Sequence, residues 1–512
     1  MKYLIGIDLG TSATKSVLFR EDGHVLLSYS VAYPMDQPKN GWAEQDPRDW
    51  WDAAVESLQH ITRNSGIAPE DIVGVGIAGQ MHGLVMLDEK NKVIRPAILW
   101  CDQRTGKECG ELTQAIGKER LVQITANPAM TGFTAAKILW VRNHEPQNFE
   151  RCRHILLPKD YIRYKLTGEF ATDVSDASGT QLLDVANRCW SEEVLQKLKI
   201  DKKLLGKVYE SVDTAGRVTA KAAKVTGLRE KTAVAAGAGD NAAAAVGVGV
   251  VEDNKAFTTV GSSGVVYAHT SEMNTDPKGR VHTFCSAVPG EWHVMGVTQA
   301  AGLSLKWFCE TFCEKEKRQA MEEGVDTYYI MDKEAEDSPI GCNKLIYLPY
   351  LMGERTPHLD PDCRGVFFGL SAVHQKKDMI RAVMEGVSYS LKDCLEILKE
   401  MKIEVSDMTA CGGGGSSKLW QGMLSDIYNC PVKTCTAKEG PALGAAVLAG
   451  VSAGVYSSVK EACKRIIDFH PAVEPRIENH RKYQEFYKIY RSLYPNLKNI
   501  YKSLADCEEE IK

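Results

Sequence analysis

Short apolar runs alternate along this chain with longer stretches in which apolar positions recur every three or four residues. The runs Tyr3–Asp8, Ser16–Arg20, Val25–Val31 and Val73–Ala78 read as strands, and helical stretches separate and follow them. That alternation predicts α/β layering. One helix start is well marked: Asp46-Pro47 supplies an N-cap followed by proline at the first helical position, with Asp49 three residues after the cap. Trp50, Trp51, Ala54, Val55 and Leu58 then follow on a helical period, a face suited to a core.

A weak internal repeat changes the picture. Leu9-Gly10-Thr11-Ser12-Ala13 lies between two strand-like runs, and Val260-Gly261-Ser262-Ser263-Gly264 lies between Ala256–Thr259 and Val265–His269, about half a chain-length later. A small-hydroxyl turn between strands exposes successive backbone N–H groups, a nest suited to phosphate oxygens. Either turn alone is an ordinary hairpin. Two at this spacing point to two related lobes, each offering a phosphate hairpin to a shared cleft.

Several residues near these turns could carry chemistry. Asp8 ends the first strand, and a carboxylate beside a phosphate nest needs a divalent cation such as Mg²⁺ between itself and the ligand. A turn aspartate bonded to its own backbone is the competing reading. The second turn has Thr259 in the matching place, so only the first copy carries an acid. Asp240 follows Ala236-Gly237-Ala238-Gly239 and precedes an alanine-rich helical stretch. It reads as a helix N-cap, as a general base facing the cleft, or as both. Gly79-Gln80-Met81-His82-Gly83 follows the strand Val73–Ala78, where α/β folds place ligands, although a lone histidine is commonly just hydrogen-bonded. Gly412-Gly413-Gly414-Gly415-Ser416-Ser417 joins the run Met408–Cys411 to the helical stretch Lys418–Tyr428 and allows close approach of a flat or anionic ligand. The chain contains neither a Walker A lysine motif nor a dinucleotide fingerprint.

Composition narrows the class. The 512 residues suggest about three ordinary domains, which the repeat reduces to two lobes, 1–245 and 246–512, with the last helical stretch expected to pack near the first lobe. The 62 basic and 67 acidic residues leave a net charge of −5, which offers no basic surplus for a nucleic acid or an anionic membrane. The fifteen cysteines are scattered without C-x-x-C spacing, as in a reducing compartment. The Ala/Gly tracts around 234–251 and 441–455 are too interrupted to span a bilayer, and the N-terminus lacks the plan of a signal peptide, so the expected location is the cytoplasm. The tail Glu508-Glu509-Glu510 reads as a solvated end.

At Gly132-Phe133-Thr134-Ala135-Ala136-Lys137-Ile138-Leu139-Trp140-Val141-Arg142-Asn143-His144, and again from Gly365-Val366-Phe367-Phe368-Gly369-Leu370 through Asp378-Met379 to Glu385, the sequence resembles the two signatures of the FGGY family of carbohydrate kinases. The resemblance runs from Tyr3 to about Tyr494. Ile77 to Gly83, Trp42-Ala43-Glu44-Gln45-Asp46-Pro47 and Gly353-Glu354-Arg355-Thr356-Pro357-His358 are similar to the branch that phosphorylates D-xylulose. Glycerol-phosphorylating members carry Arg-Glu where Met81-His82 stands. The resemblance implies two actin-like, ribonuclease-H-type ATPase lobes with an interlobe cleft, ATP and Mg²⁺ as cofactors, and a sugar substrate; it leaves a homodimer open.

Carried over residue by residue, it implies Asp240 as general base and Met81, His82, Asp240 and Asn241 as sugar contacts. Asp8 would be the second catalytic carboxylate, with Asp8 and Asp240 near Mg²⁺. Gly10, Thr11, Lys15, Gly261 and Ser262 would hold phosphates, and Gly302, Gly413, Gly414 and Ser417 the nucleoside side. Trp100, Asp102 and Arg104 would lie near the sugar. Cys101 stands where Asn is more usual and Ser416-Ser417 where a basic or amide residue is, departures that bear on sugar preference and ATP affinity. The alternatives are a kinase of this family for another ketose, polyol or gluconate, and an actin-like or heat-shock-type ATPase, since Ile5-Gly6-Ile7-Asp8-Leu9-Gly10-Thr11 opens those proteins too.

Overall fold

A computed structural model describes residues 1–437 and 439–507; the acidic tail lies outside the described residues. The first lobe is built on a sheet whose strands run in the order Thr214–Arg217, Ala233–Ala235, Ile72–Gly79, Tyr3–Leu9, Ala13–Arg20, Val25–Ala32. The second is built on His282–Cys285, Trp292–Thr298, Gly264–Thr270, Lys255–Val260, Asp407–Cys411, Val432–Lys433. The repeat in the sequence is therefore a repeat of topology. In each lobe an antiparallel hairpin pairs on one side with a third antiparallel strand and on the other with a parallel one. The second parallel strand, Asp407–Cys411, lies far along the chain because several helices intervene, among them the 25-residue helix Lys376–Glu400.

The helix Pro47–Asn64 begins as its sequence dictates, with Asp46 accepting a hydrogen bond from the Arg48 N–H and Pro47 in the first turn. Trp50, Ala54 and Leu58 are buried under the first sheet.

Two small-residue helices join the lobes. Helix Gly440–Ser452 lies on the first lobe's sheet, although its sequence follows the second. The approach is possible only because Gly6 and Gly76 are register partners. A Cβ on Gly6 would sit 1.8 Å from the Ala442 carbonyl oxygen, and one on Gly76 1.9 Å from that of Ala445. The same helix crosses Asp240–Gly247 through Gly444, whose Cβ would lie 1.9 Å from the Ala243 carbonyl oxygen. The Ala/Gly tracts thus form the seam between the lobes. No helix among the described residues is long and apolar enough to cross a membrane, and all fifteen cysteines are free.

One expectation is overturned. The last helix, Ile477–Ala505, does not return to the first lobe. Tyr483, Tyr487, Tyr490, Leu493, Tyr494 and Tyr501 are buried in the second lobe's core, and the Tyr487 hydroxyl donates to Asp393 at 2.6 Å. A helical stripe of tyrosines requires an apolar wall with polar groups behind it, and helix Lys376–Glu400 supplies both.

Candidate active site

Three parallel strand ends meet at one edge of the first sheet. In register across them stand Asp8, Ala78 and Ala238, so the residues that follow each strand emerge side by side. These are the Gly10–Ser12 turn, Gln80-Met81-His82, and Asp240-Asn241. The carboxyl ends of adjacent parallel strands are where open α/β sheets hold ligands.

The first turn is held from behind. Its Gly10 carbonyl accepts from the Tyr33 hydroxyl at 2.5 Å and from Gln80 at 3.3 Å, and the Thr11 carbonyl accepts from Gln45 at 2.7 Å. The Thr11 hydroxyl accepts from the Trp100 indole at 3.0 Å and donates to Gln80 at 3.3 Å. With the carbonyls tied inward, the Thr11 and Ser12 N–H groups have no acceptor among the described residues. The second turn repeats the arrangement: Ala301 and Leu303 N–H groups bind the Ser262 carbonyl at 3.0 and 3.2 Å, and Gly302 N–H binds that of Gly261 at 2.7 Å. Ser262 and Ser263 N–H groups are likewise without an acceptor among the described residues. Two turns of free amides are the physical basis of a phosphate grip.

Gly302 supports the second turn: a Cβ there would be 2.6 Å from the Gly261 carbonyl oxygen. Gly412 adopts φ +76° and Gly414 packs on Val260, whereas a Cβ on Gly413 would meet nothing within 4 Å. The glycines wind as one short helical turn, and the Ser417 hydroxyl caps Lys418–Tyr428 by accepting from Trp420 N–H at 3.1 Å. Lys15 is ion-paired with Glu439 at 2.5 Å, tying the first turn's strand to the start of the seam helix.

Asp240 is the first residue of its helix, and Gly239 is the cap. The carboxylate does not cap. It accepts instead from the adjacent Asn241 N–H at 2.8 Å and Asn241 Nδ2 at 3.1 Å, so Asn241 orients it. Burial pushes Asp240 up to about 6, against the pull of those two bonds. Burial and the charge of Asp240 together push Asp8 up to about 7, with Lys15 opposing. Asp8 and Asp240 are neighbouring half-buried acids, close enough for the charge of one to raise the other. The described residues contain no cluster of three or more His, Cys, Asp or Glu side chains able to hold a metal. The donor set is therefore two carboxylates, which fits Mg²⁺ completed by phosphate and water rather than a closed protein cage.

His82 has φ +67° and stacks on Phe133 with centroids 4.3 Å apart. Its Nδ1 lies 2.8 Å from the Gly179 carbonyl, which can only accept, so Nδ1 carries the proton and Nε2 is an acceptor. Burial holds the ring well below its ordinary value, with the charges of Lys137, His282 and Arg355 acting the same way, so it is neutral. Lys137, also buried, donates to the His82 and Gly132 carbonyls at 2.9 and 2.7 Å. Met81 covers Gly239, whose Cβ would lie 2.9 Å from the Met81 sulfur.

Behind Asp240 lies an ion cluster that the sequence pattern did not reveal. Lys159 sits 2.5 Å from Asp160, 2.8 Å from Asp173 and 3.4 Å from Asp176, all buried. Arg163 pairs with Asp160 at 2.9 Å and donates to the Ala236 carbonyl at 2.8 Å. Asp173 accepts from the Ser175 hydroxyl at 2.5 Å, which in turn accepts from Gly239 N–H at 3.1 Å. The cluster thus clamps Ala236–Gly239 at both ends. Burial, with the charges of Asp160, Asp173 and Asp240, raises Asp176 well above the ordinary carboxylate value, against the pull of Lys159. Its only sequence signal is charge inside a buried pattern.

Asp102 and Arg104 are placed behind the site. Asp102 accepts from Ala43 N–H at 2.6 Å and pairs with Arg104 at 2.6 Å, and the guanidinium lies 3.6 Å from the Trp42 ring and 2.7 Å from Glu44. Their side chains brace the Trp42 segment.

Residues 3–247 match the FGGY family of carbohydrate kinases, N-terminal domain, and residues 256–453 match its C-terminal domain. The chain belongs to the FGGY family of carbohydrate kinases; it is an ATP-dependent sugar kinase. It is 39% identical over 500 residues to the xylulose kinase of Bacillus subtilis (strain 168), covering 98% of each chain. It is also similar to a crystal structure of a xyloylose kinase from Brucella ovis, with a TM-score of 0.89 and 34% identity, covering 97% of this chain and 100% of that one. The gluconokinase of Bacillus subtilis (strain 168) is 31% identical over 519 residues, covering 99% of this chain and 98% of its own. The second turn carries Thr259 where the first carries Asp8.

Proposed function

We propose that this protein transfers the γ-phosphoryl group of ATP to the 5-hydroxyl of D-xylulose, giving D-xylulose 5-phosphate. The observation that carries the proposal is the single edge at which Asp8, Met81-His82 and Asp240-Asn241 emerge beside a turn of free amides. The similarity to xylulose kinases supports the choice of sugar.

Asp240 accepts the proton of the attacking hydroxyl. A carboxylate raised to about 6 is ionised at neutral pH and more basic than a solvated one. His82 Nε2 accepts from a sugar hydroxyl and Met81 supplies an apolar wall. Amides of Thr11, Ser12, Ser262 and Ser263, with Lys15, hold the phosphates. Gly413 and Gly414 lie against the nucleoside, while Gly302 acts by building the second turn and Ser417 by capping a helix. Asp8 and Asp240 would hold Mg²⁺, which when bound neutralises charge on the transferring phosphoryl. Positioning supplies up to about 7–11 kcal/mol, more than the roughly 10²–10⁴-fold of the base. The lobes are assigned as 1–245 and 246–512, within a cytoplasmic enzyme that is a monomer or homodimer.

The test is ADP release across D-xylulose, D-ribulose, L-xylulose, glycerol and gluconate. A kcat/KM highest for D-xylulose is expected; a maximum on gluconate or glycerol would reassign the acceptor.

A further inference from the structure

Arg355 is a cation in the cleft without a partner of its own among the described residues. It stands in the loop Gly353–His358 of the second lobe, and that loop is fastened. Thr356 exchanges bonds with Val297, its N–H donating at 3.0 Å and its hydroxyl accepting at 3.1 Å. The same hydroxyl donates to the Arg280 carbonyl at 2.8 Å. Glu354, the adjacent carboxylate in the chain, is occupied by the backbone N–H groups of Gln299 and Arg355 at 2.9 and 2.8 Å and by Ser390 at 3.3 Å. Burial pushes that carboxyl up to about 8; burial also lowers Arg355, and the charge of Glu354 opposes that without a bond to the guanidinium. No hydrogen bond or ion pair from the Arg355 guanidinium is made among the described residues, whereas the interior cations Lys159, Arg163, Arg104 and Arg381 are all paired.

The side chain reaches across to the first lobe. A Cβ on Gly132 would lie 2.6 Å from the Trp100 carbonyl oxygen and 3.7 Å from Arg355 Nη2, so the glycine admits the Trp100 backbone and the guanidinium comes within ordinary contact of the same spot. Gly132 leads directly into Phe133, and His82 and His282 lie within reach of the Arg355 charge. Phe133 stacks on His82 and lies 5.6 Å from the His282 ring, and Asn127 ties His282 to the first lobe at 2.8 Å. Arg355 acts electrostatically on His82, His282 and Lys137. With Nη2 beside Gly132, it stands on the His82–Phe133 side of the acceptor site.

We propose that Arg355 is the second lobe's contact to the sugar: its guanidinium donates to the oxygens at the C1–C2 end of the ketose while the 5-hydroxyl faces Asp240. This rests on the sugar-kinase reading above. A planar fork of N–H donors matches two adjacent oxygens, and a lysine's point charge does not reproduce it. The sugar then touches both lobes, so Arg355 couples acceptor binding to their closure.

The experiment is steady-state kinetics of Arg355→Met and Arg355→Lys with D-xylulose and with 1-deoxy-D-xylulose, alongside ADP binding and thermal unfolding. Arg355→Met is expected to raise KM for D-xylulose roughly 10- to 100-fold and leave KM for ATP within about twofold. The wild type is expected to discriminate against the deoxy sugar, Arg355→Met to lose most of that discrimination, and Arg355→Lys not to restore it. An unchanged sugar KM, or full retention of discrimination, in a variant that unfolds and binds ADP like wild type would overturn the proposal. If Arg355→Met fails to fold, Arg355→Lys decides: wild-type KM and discrimination would refute the fork contact. If the wild type prefers another acceptor, the choice of D-xylulose fails, and the same KM comparison on that acceptor still tests Arg355 separately.

Discussion

Replacing Asp240 by asparagine should cut turnover by orders of magnitude and stabilise the fold. The amide keeps the shape of the carboxyl and an oxygen for the Asn241 N–H to donate to, but it carries no charge. Asp240 is raised from 3.8 to about 6, chiefly by burial, and a rise of that size corresponds to about 3 kcal/mol of penalty on the ionised form. Because the folded value lies above the unfolded one, the penalty is absent below pH 3.8, develops between 3.8 and about 6, and is complete above that. Removing the Asp240 charge also relieves Asp8, which it pushes toward about 7. Urea unfolding of both proteins from about pH 4 to 8.5, without nucleotide or metal, is the assay. Asp240→Asn should match wild type near pH 4 and exceed it by about 2–3 kcal/mol at about pH 8, an upper figure because relaxation lowers it. Turnover should fall by roughly 10²–10⁴-fold. Equal stability at the alkaline end, or an advantage that grows as pH falls, would refute the reasoning.

Other substitutions test the remaining parts. Gly444→Ala would drive a Cβ into the Ala243 carbonyl and should cost about 3 kcal/mol or more, whereas Gly110→Ala, in an open helical position, should stabilise by about 0.5–1 kcal/mol; urea midpoints report both. Gly413→Ala should leave the melting temperature unchanged and raise KM for ATP several-fold, while Gly412→Ala, at φ +76° and 2.8 Å from the Val260 carbonyl, should lower the melting temperature. Lys15→Met should move the acid limb of the pH–rate profile upward, because Lys15 lowers Asp8, and Glu439→Gln should move it downward, because Glu439 raises Asp8.

Local features carried much of this architecture into plain sight. Both hairpins, the Asp46 cap and the helix after Ser417 are set by residues adjacent in sequence, and all formed where the pattern placed them. What stayed hidden depends on neighbours distant in sequence. Asp240 stands beside Asp8 because Ala238 and Gly239 pair with the strand end at Ala78 and Gly79, a register no local pattern encodes. The Ala/Gly tracts served only to exclude a membrane span, yet their backbone-to-backbone approach is the seam between lobes. Lys159, Asp160 and Arg163 look like a solvated helix start until Asp173 comes within 2.8 Å of Lys159 in the buried cluster. Asp102 and Arg104 lie in the segment expected near the sugar, but their side chains face Trp42 and Glu44, and the last helix follows its tyrosines to the second lobe.

The most direct measurement is ³¹P and ¹³C NMR of the product formed from ATP, Mg²⁺ and D-xylulose by the wild-type protein. One phosphomonoester coupled to C5, absent with Asp240→Asn, is the predicted result. Phosphate on another carbon, or sugar-independent ADP release with no phosphorylated ketose, would contradict it.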